Sequence, residues 1–443
     1  MNPALTISDR VPAVAPLAAG LDECAYVGIC LFLFVAPWEA VAHLSGFPLG
    51  LWIGSATFGI AVARTLLISR VRKLTGVHLW MFGFVALSAM SAMWTIDSAQ
   101  TAARIGTYSQ LLIAVWLIWE LAPSEARVVT LMQAYVWGNV ILAALTIRNY
   151  AFGRTAPQLE TALGTATWDE ERYSVTGINE NDLGLMLAVC LPLIFYLALR
   201  SKGTAARLIA WVPFPLFMTA ILLSGSRGSV VSAAIALMML PLSFRYFSRS
   251  QRIVAGVACL GVVLCSLFLV HAEVWLRMQQ FTAELTEGTL THRTVIWAAG
   301  LASFRDYPWL GIGSGAFPAA VFRLIDIPYV AHNTFLSILV ELGVVGEFVW
   351  ITMLAGAVYC ILRMRYVERC LWFLVLLSWT VGVMALTWEY NKTTWIILAL
   401  LLSHAYSRGN AFGMEHLARN FAGLRNQTRS GFRTEVGVGV GCR

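Results

Sequence analysis

A chain of 443 residues that is 58% hydrophobic and only 12% charged, with a mean hydropathy of +0.71, is not a soluble globular domain, in which charged residues run near 25%. Its net charge of +7 does not mark a nucleic-acid binder, because the basic residues are spread through short polar segments instead of forming one face. What remains is an integral membrane protein, and 17 Trp with 13 Tyr suit one that meets two headgroup interfaces.

About twenty mixed residues precede an apolar run that starts near Ala25. That run is too long for a removable signal peptide and lacks a small-residue cleavage site, so it is expected to stay as the first span. Apolar runs of about 17 to 25 residues can cross a bilayer as helices, and roughly twelve are present. They fall near 25–44, 47–68, 77–94, 104–121, 128–148, 182–199, 207–224, 228–244, 253–272, 332–361, 371–388 and 393–407. With the N-terminus in the cytoplasm, 21 of the 31 basic residues lie inside, which satisfies the positive-inside rule. Both long loops, near 149–181 and 273–331, are then outside, and the polar tail 408–443 is cytoplasmic and expected to be disordered. The predicted fold is a single transmembrane domain over 1–407. The cysteines Cys24, Cys30, Cys190, Cys259, Cys265, Cys360, Cys370 and Cys442 include no CxxC pair and none in an outer loop, so neither a disulfide framework nor a zinc site follows.

The first outer loop carries Asp169, Glu170 and Glu171. Consecutive carboxylates in a loop read as solvated in preference to forming a divalent-metal site. Asn179 and Asn181 shape the turn into the sixth span or bind sugar hydroxyls; the residues alone leave both open. The second outer loop opens with the amphipathic stretch HAEVWLRMQQFTAEL, expected on the membrane surface. Ile296, Trp297, Gly300, Leu301 and Phe304 then recur at helical spacing, giving a second interfacial helix with Arg293 near its start and Pro308 just beyond its end. GIGSGAF contains GxGxG, but without a βαβ context it reads as a tight turn and not as a dinucleotide loop.

Three positions carry candidate chemistry. Arg227 lies in LLSGSRGSVVS, where one span ends and the next begins. Ser224, Ser226 and Ser229 supply capping hydroxyls there, and a guanidinium beside a helix N-terminus makes a phosphate site; an arginine snorkelling to headgroups is the equal alternative. Arg293 adds a second fork for a pyrophosphate, or is a solvated charge on an interfacial helix. His332 begins the tenth span in AHNTFLSILVELGVVGE, capped by Asn333 or Thr334. The positive end of a helix dipole disfavours a second proton on the imidazole and keeps it available as a base, although a structural histidine in a loop has the same signature. Glu341 and Glu347, one to two turns and more below, each need a partner in lipid.

The combination SGSRG, RTVIW, PWLGIGSGAF and HNTFLSILVELGVVG, spanning Leu222 to Glu347, resembles the O-antigen ligase and polymerase superfamily of bacterial envelope glycan enzymes. MWTIDSAQTAARIG and GINENDLGLMLAVCLP are weaker stretches of the same resemblance. It implies a GT-C-type membrane glycosyltransferase of the bacterial inner membrane, working on the periplasmic face with both termini in the cytoplasm, and using no nucleotide sugar, metal or cofactor. The donor it implies is a glycan on undecaprenyl pyrophosphate, and the acceptor is the lipid A core or another glycan. Arg227 and Arg293 correspond to pyrophosphate-binding arginines and His332 to the catalytic base, with Ser226 and Asn333 in support. An O-antigen or exopolysaccharide polymerase, or a protein O-oligosaccharyltransferase, shares these motifs. A transporter with about twelve spans is the reading from another class, against which stand the lack of an internal repeat and the gathering of polar residues at one face.

Overall fold

A computed structural model of the chain describes residues 11–44, 46–153, 172–243, 246–269 and 293–407. The acidic cluster at 169–171, the first interfacial stretch at 271–285 and the tail after 407 lie outside the described residues. All regular structure among the described residues is helical. Nine helices there are long and apolar enough to cross a membrane: Pro16–Ala42, Leu49–Ile68, Gly76–Met93, Ser98–Leu121, Glu125–Ala151, Glu180–Arg200, Thr204–Leu223, Thr334–Leu362 and Tyr366–Val383. A shorter apolar helix spans Arg227–Leu242, and further helices cover Arg249–Leu269 and 392–407. Where the connections are short, successive helices run up and down. One end of the bundle, where the first helix begins, is here the proximal end, and the other is the distal end.

The helix Glu180–Arg200 is the axis of the core. After ENDLG it is apolar all round, and it is buried from Leu183 to Ala198, as expected of a helix without a polar face. In lipid such packing depends on close contact at small residues. A Cβ added at Gly184 would lie 2.4 Å from Ser229 Oγ, so this glycine sets how near the Arg227 helix can come.

Side-chain caps start four of the helices at the distal end. Asp97 accepts from Gln100 N at 3.1 Å, Asn179 from Asn181 N at 2.9 Å, Ser226 from Ser229 N at 3.4 Å and Asn333 from Leu336 N at 3.1 Å. Four N-terminal partial charges therefore face the same end.

Three spans differ from the sequence reading by five residues or more, and the first of them, expected from Ala25, is already helical and apolar from Pro16. The span expected at 104–121 starts at Ser98, because Asp97 caps it, and Arg104 thereby moves from the helix start into its second turn. The span expected at 371–388 is Tyr366–Val383 instead, which releases 384–391 as a non-helical connector. The helix expected around Ile296 to Phe304 is present as Arg293–Asp306.

The GIGSG segment is a turn, with φ of 66° at Gly311, 106° at Gly313 and 79° at Gly315, and its role reaches beyond the loop. The helix Thr334–Leu362 is broken at Gly343, where φ is 67° and ψ is −168°. Backbone groups freed by the break are taken up by the turn: Ile312 N donates to Val340 O at 3.2 Å, Gly313 N to Glu341 O at 2.9 Å and Val344 N to Pro308 O at 2.9 Å. Irregular backbone within a bundle is tolerated where protein satisfies it in this way.

Candidate functional site at the distal end

Arg227 is the first residue of its helix, directly after the Ser226 cap. The turn ahead of it is held by Ser226 N donating to Ser224 Oγ at 3.3 Å and Ser229 Oγ donating to Ser226 Oγ at 2.8 Å. Arg172 braces this turn from outside. Its Nε donates to Ser224 O at 3.1 Å, its Nη2 to Asn181 Oδ1 at 2.8 Å, and its Nη1 lies 3.6 Å from Glu180 Oε2. Asn179 caps its helix and Asn181 anchors Arg172, so the structure gives both asparagines turn-shaping work.

His332 and Arg293 come together through a tryptophan. Trp297, one turn into the Arg293 helix, donates from Nε1 to Ala331 O at 2.8 Å. His332 follows with φ of 48°, in the left-handed region that few non-glycine residues adopt, and Asn333 then caps the next helix. Burial lowers the pKa of His332 to about 4, and the nearby charge of Arg293 adds to that effect. The imidazole is therefore neutral at neutral pH.

The connector 384–391 joins these parts. A Cβ added at Gly228, next to Arg227, would sit 3.8 Å from Ala385 Cβ. Thr334, two residues after His332, donates to Leu386 O at 2.9 Å and accepts from Trp388 N at 2.7 Å. Trp388 Nε1 donates to Asp182 Oδ1 at 2.7 Å. Glu389 accepts from Ser337 Oγ at 3.0 Å and from Arg104 Nη1 at 3.4 Å, while the Arg104 guanidinium lies 3.4 Å above the Tyr390 ring. Burial raises the carboxyl pKa of Glu389, against the opposing pull of Arg104. One eight-residue connector thus touches the helices bearing Arg104, Asp182 and Arg227 and the helix that follows His332.

The remaining motifs dock on the same end. Thr101 Oγ1 donates to Ser314 O at 2.7 Å and Ile96 N to Ile312 O at 3.0 Å, which ties MWTIDSAQTAARIG to the glycine turn. Glu341 finds its partners there, accepting from Gly315 N at 2.6 Å and Phe317 N at 3.3 Å. Glu347 sits below the break with Oε2 buried and without a hydrogen-bond partner among the described residues.

Arg104, Arg172, Asp182 and Glu389 were not singled out by the sequence reading. Arg104 and Asp182 lie inside the two weaker motif stretches, which was a usable signal. Arg172 and Glu389 carried none.

Fold and site define the class: a multi-pass α-helical membrane protein whose distal end collects arginines, a neutral histidine and four capped helix starts. Residues 212–351 match the family described as O-antigen ligase. The chain is also 25% identical over 346 residues to an O-antigen ligase of Pseudomonas aeruginosa, covering 73% of this chain and 77% of that protein. Both findings support the O-antigen ligase superfamily, the resemblance carried by the motifs.

Proposed function

We propose that the protein is a GT-C-type membrane glycosyltransferase, a single transmembrane domain of about twelve spans over 1–407. It transfers a glycan from undecaprenyl pyrophosphate to an acceptor hydroxyl at the periplasmic face, with the lipid A core as acceptor. The observation that carries this reading is the placement of a neutral His332 within reach of the Arg293 charge, at the same end as the Arg227 helix start. In this reading both termini are cytoplasmic, the membrane is the bacterial inner membrane, and the distal end is periplasmic.

When the acceptor hydroxyl attacks the anomeric carbon, the bond to the lipid pyrophosphate breaks and negative charge builds on the departing oxygen. Fixed guanidiniums and helix N-termini stabilise that charge without reorganising, which makes Arg227 and Arg293 the leaving-group side. His332 accepts the hydroxyl proton on the opposite side, so the displacement is in line and inverts the anomeric centre, with no metal in the scheme. A histidine held near 4 is a weak base, which bound donor strengthens in part. Pyrophosphate on Arg293 offsets one of the two causes of the depression and raises the imidazole toward its ordinary value near 6.5. Base strength then rises when donor is bound.

Ser226 and Asn333 act in support by fixing the two helix starts. The test is transfer from purified lipid-linked donor by the full chain in bilayer nanodiscs. Full activity of a His332→Ala variant removes the base role, and absence of transfer by the wild-type chain with every acceptor removes the reading.

A further inference from the structure

A cleft of about 230 Å³ opens at the distal end between the helices Arg293–Asp306 and Phe317–Ile325, away from the residues of the proposed reaction. Its lining includes the aliphatic Ile96, Ile312 and Ala320, the Tyr307 ring, and the polar Ser303, Asp306 and Arg323. Neither the Asp306 carboxylate nor the Arg323 guanidinium enters a side-chain hydrogen bond or ion pair among the described residues. We infer that this cleft is a saccharide subsite that holds one sugar residue of a glycan running outward from the His332 end.

The chemistry of the lining selects a sugar. A carboxylate accepts from hydroxyls, a guanidinium donates to ring and hydroxyl oxygens from a fixed fork, and a serine hydroxyl does both. Aliphatic side chains and a tyrosine ring cover the apolar C–H face that a pyranose presents between its hydroxyls. A phospholipid headgroup fits less well, because its phosphate would meet Asp306 as a like charge. The volume falls below the roughly 300–1,000 Å³ of sites for drug-sized ligands, so it suits a single ring and not an oligosaccharide.

Position gives the subsite its role. The 14-residue helix that starts at Arg293 ends at Asp306, a length of about 20 Å at 1.5 Å per residue. A sugar in the cleft therefore lies several residues along the chain from the reacting centre. The subsite reads glycan length, and it rests on the glycosyl-transfer reading only for which glycan it serves. Polymer on the donor and core on the acceptor share the same chemistry.

The experiment uses the full chain in nanodiscs with the variants Arg323→Ala, Arg323→Lys and Ala320→Trp. Saturation-transfer NMR is run with lipid-free oligosaccharide released by mild acid from the host's lipopolysaccharide. Wild type is expected to show transfer to the sugar, and Arg323→Ala to bind about tenfold more weakly, as for loss of one charge-assisted hydrogen bond. Arg323→Lys, which keeps the charge and loses the fork, falls between them, and Ala320→Trp closes the cleft. In parallel, kcat/KM is measured with donors of one or several repeats, and separately with truncated or complete acceptor cores. The preference for the longer glycan is expected to drop about tenfold in Arg323→Ala in one series, and that series identifies the source. Equal binding by all variants, or an unaltered length preference in both series, overturns the subsite. Sugar binding that depends on Arg323 in a wild-type chain that transfers nothing leaves the subsite standing and removes the glycosyl-transfer reading instead.

Discussion

The two ends of the bundle use arginine in opposite ways. At the proximal end, Arg64 joins Asp22 and Glu120, each at 2.8 Å, Arg127 reaches Asp22 at 2.7 Å and also Glu23, and Arg200 pairs with Glu125 at 2.5 Å. Arg72 adds its backbone N–H to Glu120 at 2.8 Å and stacks 3.6 Å from the Trp119 ring centroid. Apart from Arg72, which lies in the connection after Ile68, these residues clip regular helices to one another. At the distal end, Arg104 and Arg172 hold irregular backbone, the connector at Glu389 and the turn at Ser224. Of the described residues with positive φ, only Ser69 and Gly203 belong to the proximal end. Neutralised helix clips suit a closed end, and braced non-helical backbone suits an end that must present groups to a substrate.

Breaking the distal side at its centre is expected to have the largest effect. His332→Ala loses the base and lowers kcat for glycan transfer by about 10²–10⁴-fold, with the protein still accumulating in membranes. Next comes Arg293→Ala, which costs about 10²–10³ in kcat by removing charge stabilisation from the leaving group. The same variant carries a fingerprint that a merely structural role lacks. Removing a positive charge beside His332 raises the imidazole pKa, so the acid limb of kcat/KM moves to higher pH.

In the wild-type chain the two pH profiles should separate. The acid limb of kcat/KM, which reports the free enzyme, falls near the His332 value of about 4. That of kcat, which reports the donor-bound state, lies higher because pyrophosphate offsets Arg293. Coincident limbs would sink the coupling between donor and base.

Arg172→Ala releases Ser224 and Asn181, loosens the turn that begins the Arg227 helix, and is expected to lower kcat/KM about tenfold through loss of a charged hydrogen bond. The proximal counterpart is the smallest in activity. Glu120→Gln leaves Asp22 as the one ion-pair partner of Arg64 among the described residues, lowers thermal stability in detergent by roughly 1–3 kcal/mol, and changes transfer by less than about twofold at a permissive temperature. A large loss of transfer from Glu120→Gln would dissolve the distinction between the ends.

The all-helical, membrane-spanning character and the residues proposed for the site were legible in the amino-acid order because their signals are local. Apolar runs gave the helices, and Ser226 and Asn333 marked helix starts beside Arg227 and His332 through the ordinary chemistry of caps. Glycine spacing gave the turn at 311–315 but not its docking into the break at Gly343, since nothing near Gly343 in the chain announces that Val340 and Val344 hydrogen-bond to residues some thirty positions earlier.

What the sequence by itself determined is the membrane-spanning helical character, the helix starts capped by Ser226 and Asn333, and the three groups proposed to act on the glycan donor and acceptor. Only the tertiary structure decided that Val383 ends a helix and that 384–391 becomes the piece connecting those groups. The reason is range: Arg104 and Glu389 are 285 positions apart, and Asp182 and Trp388 are 206 apart. A buried polar residue is satisfied by whatever the fold brings beside it, and periodicity, which reads only neighbours along the chain, does not carry that information.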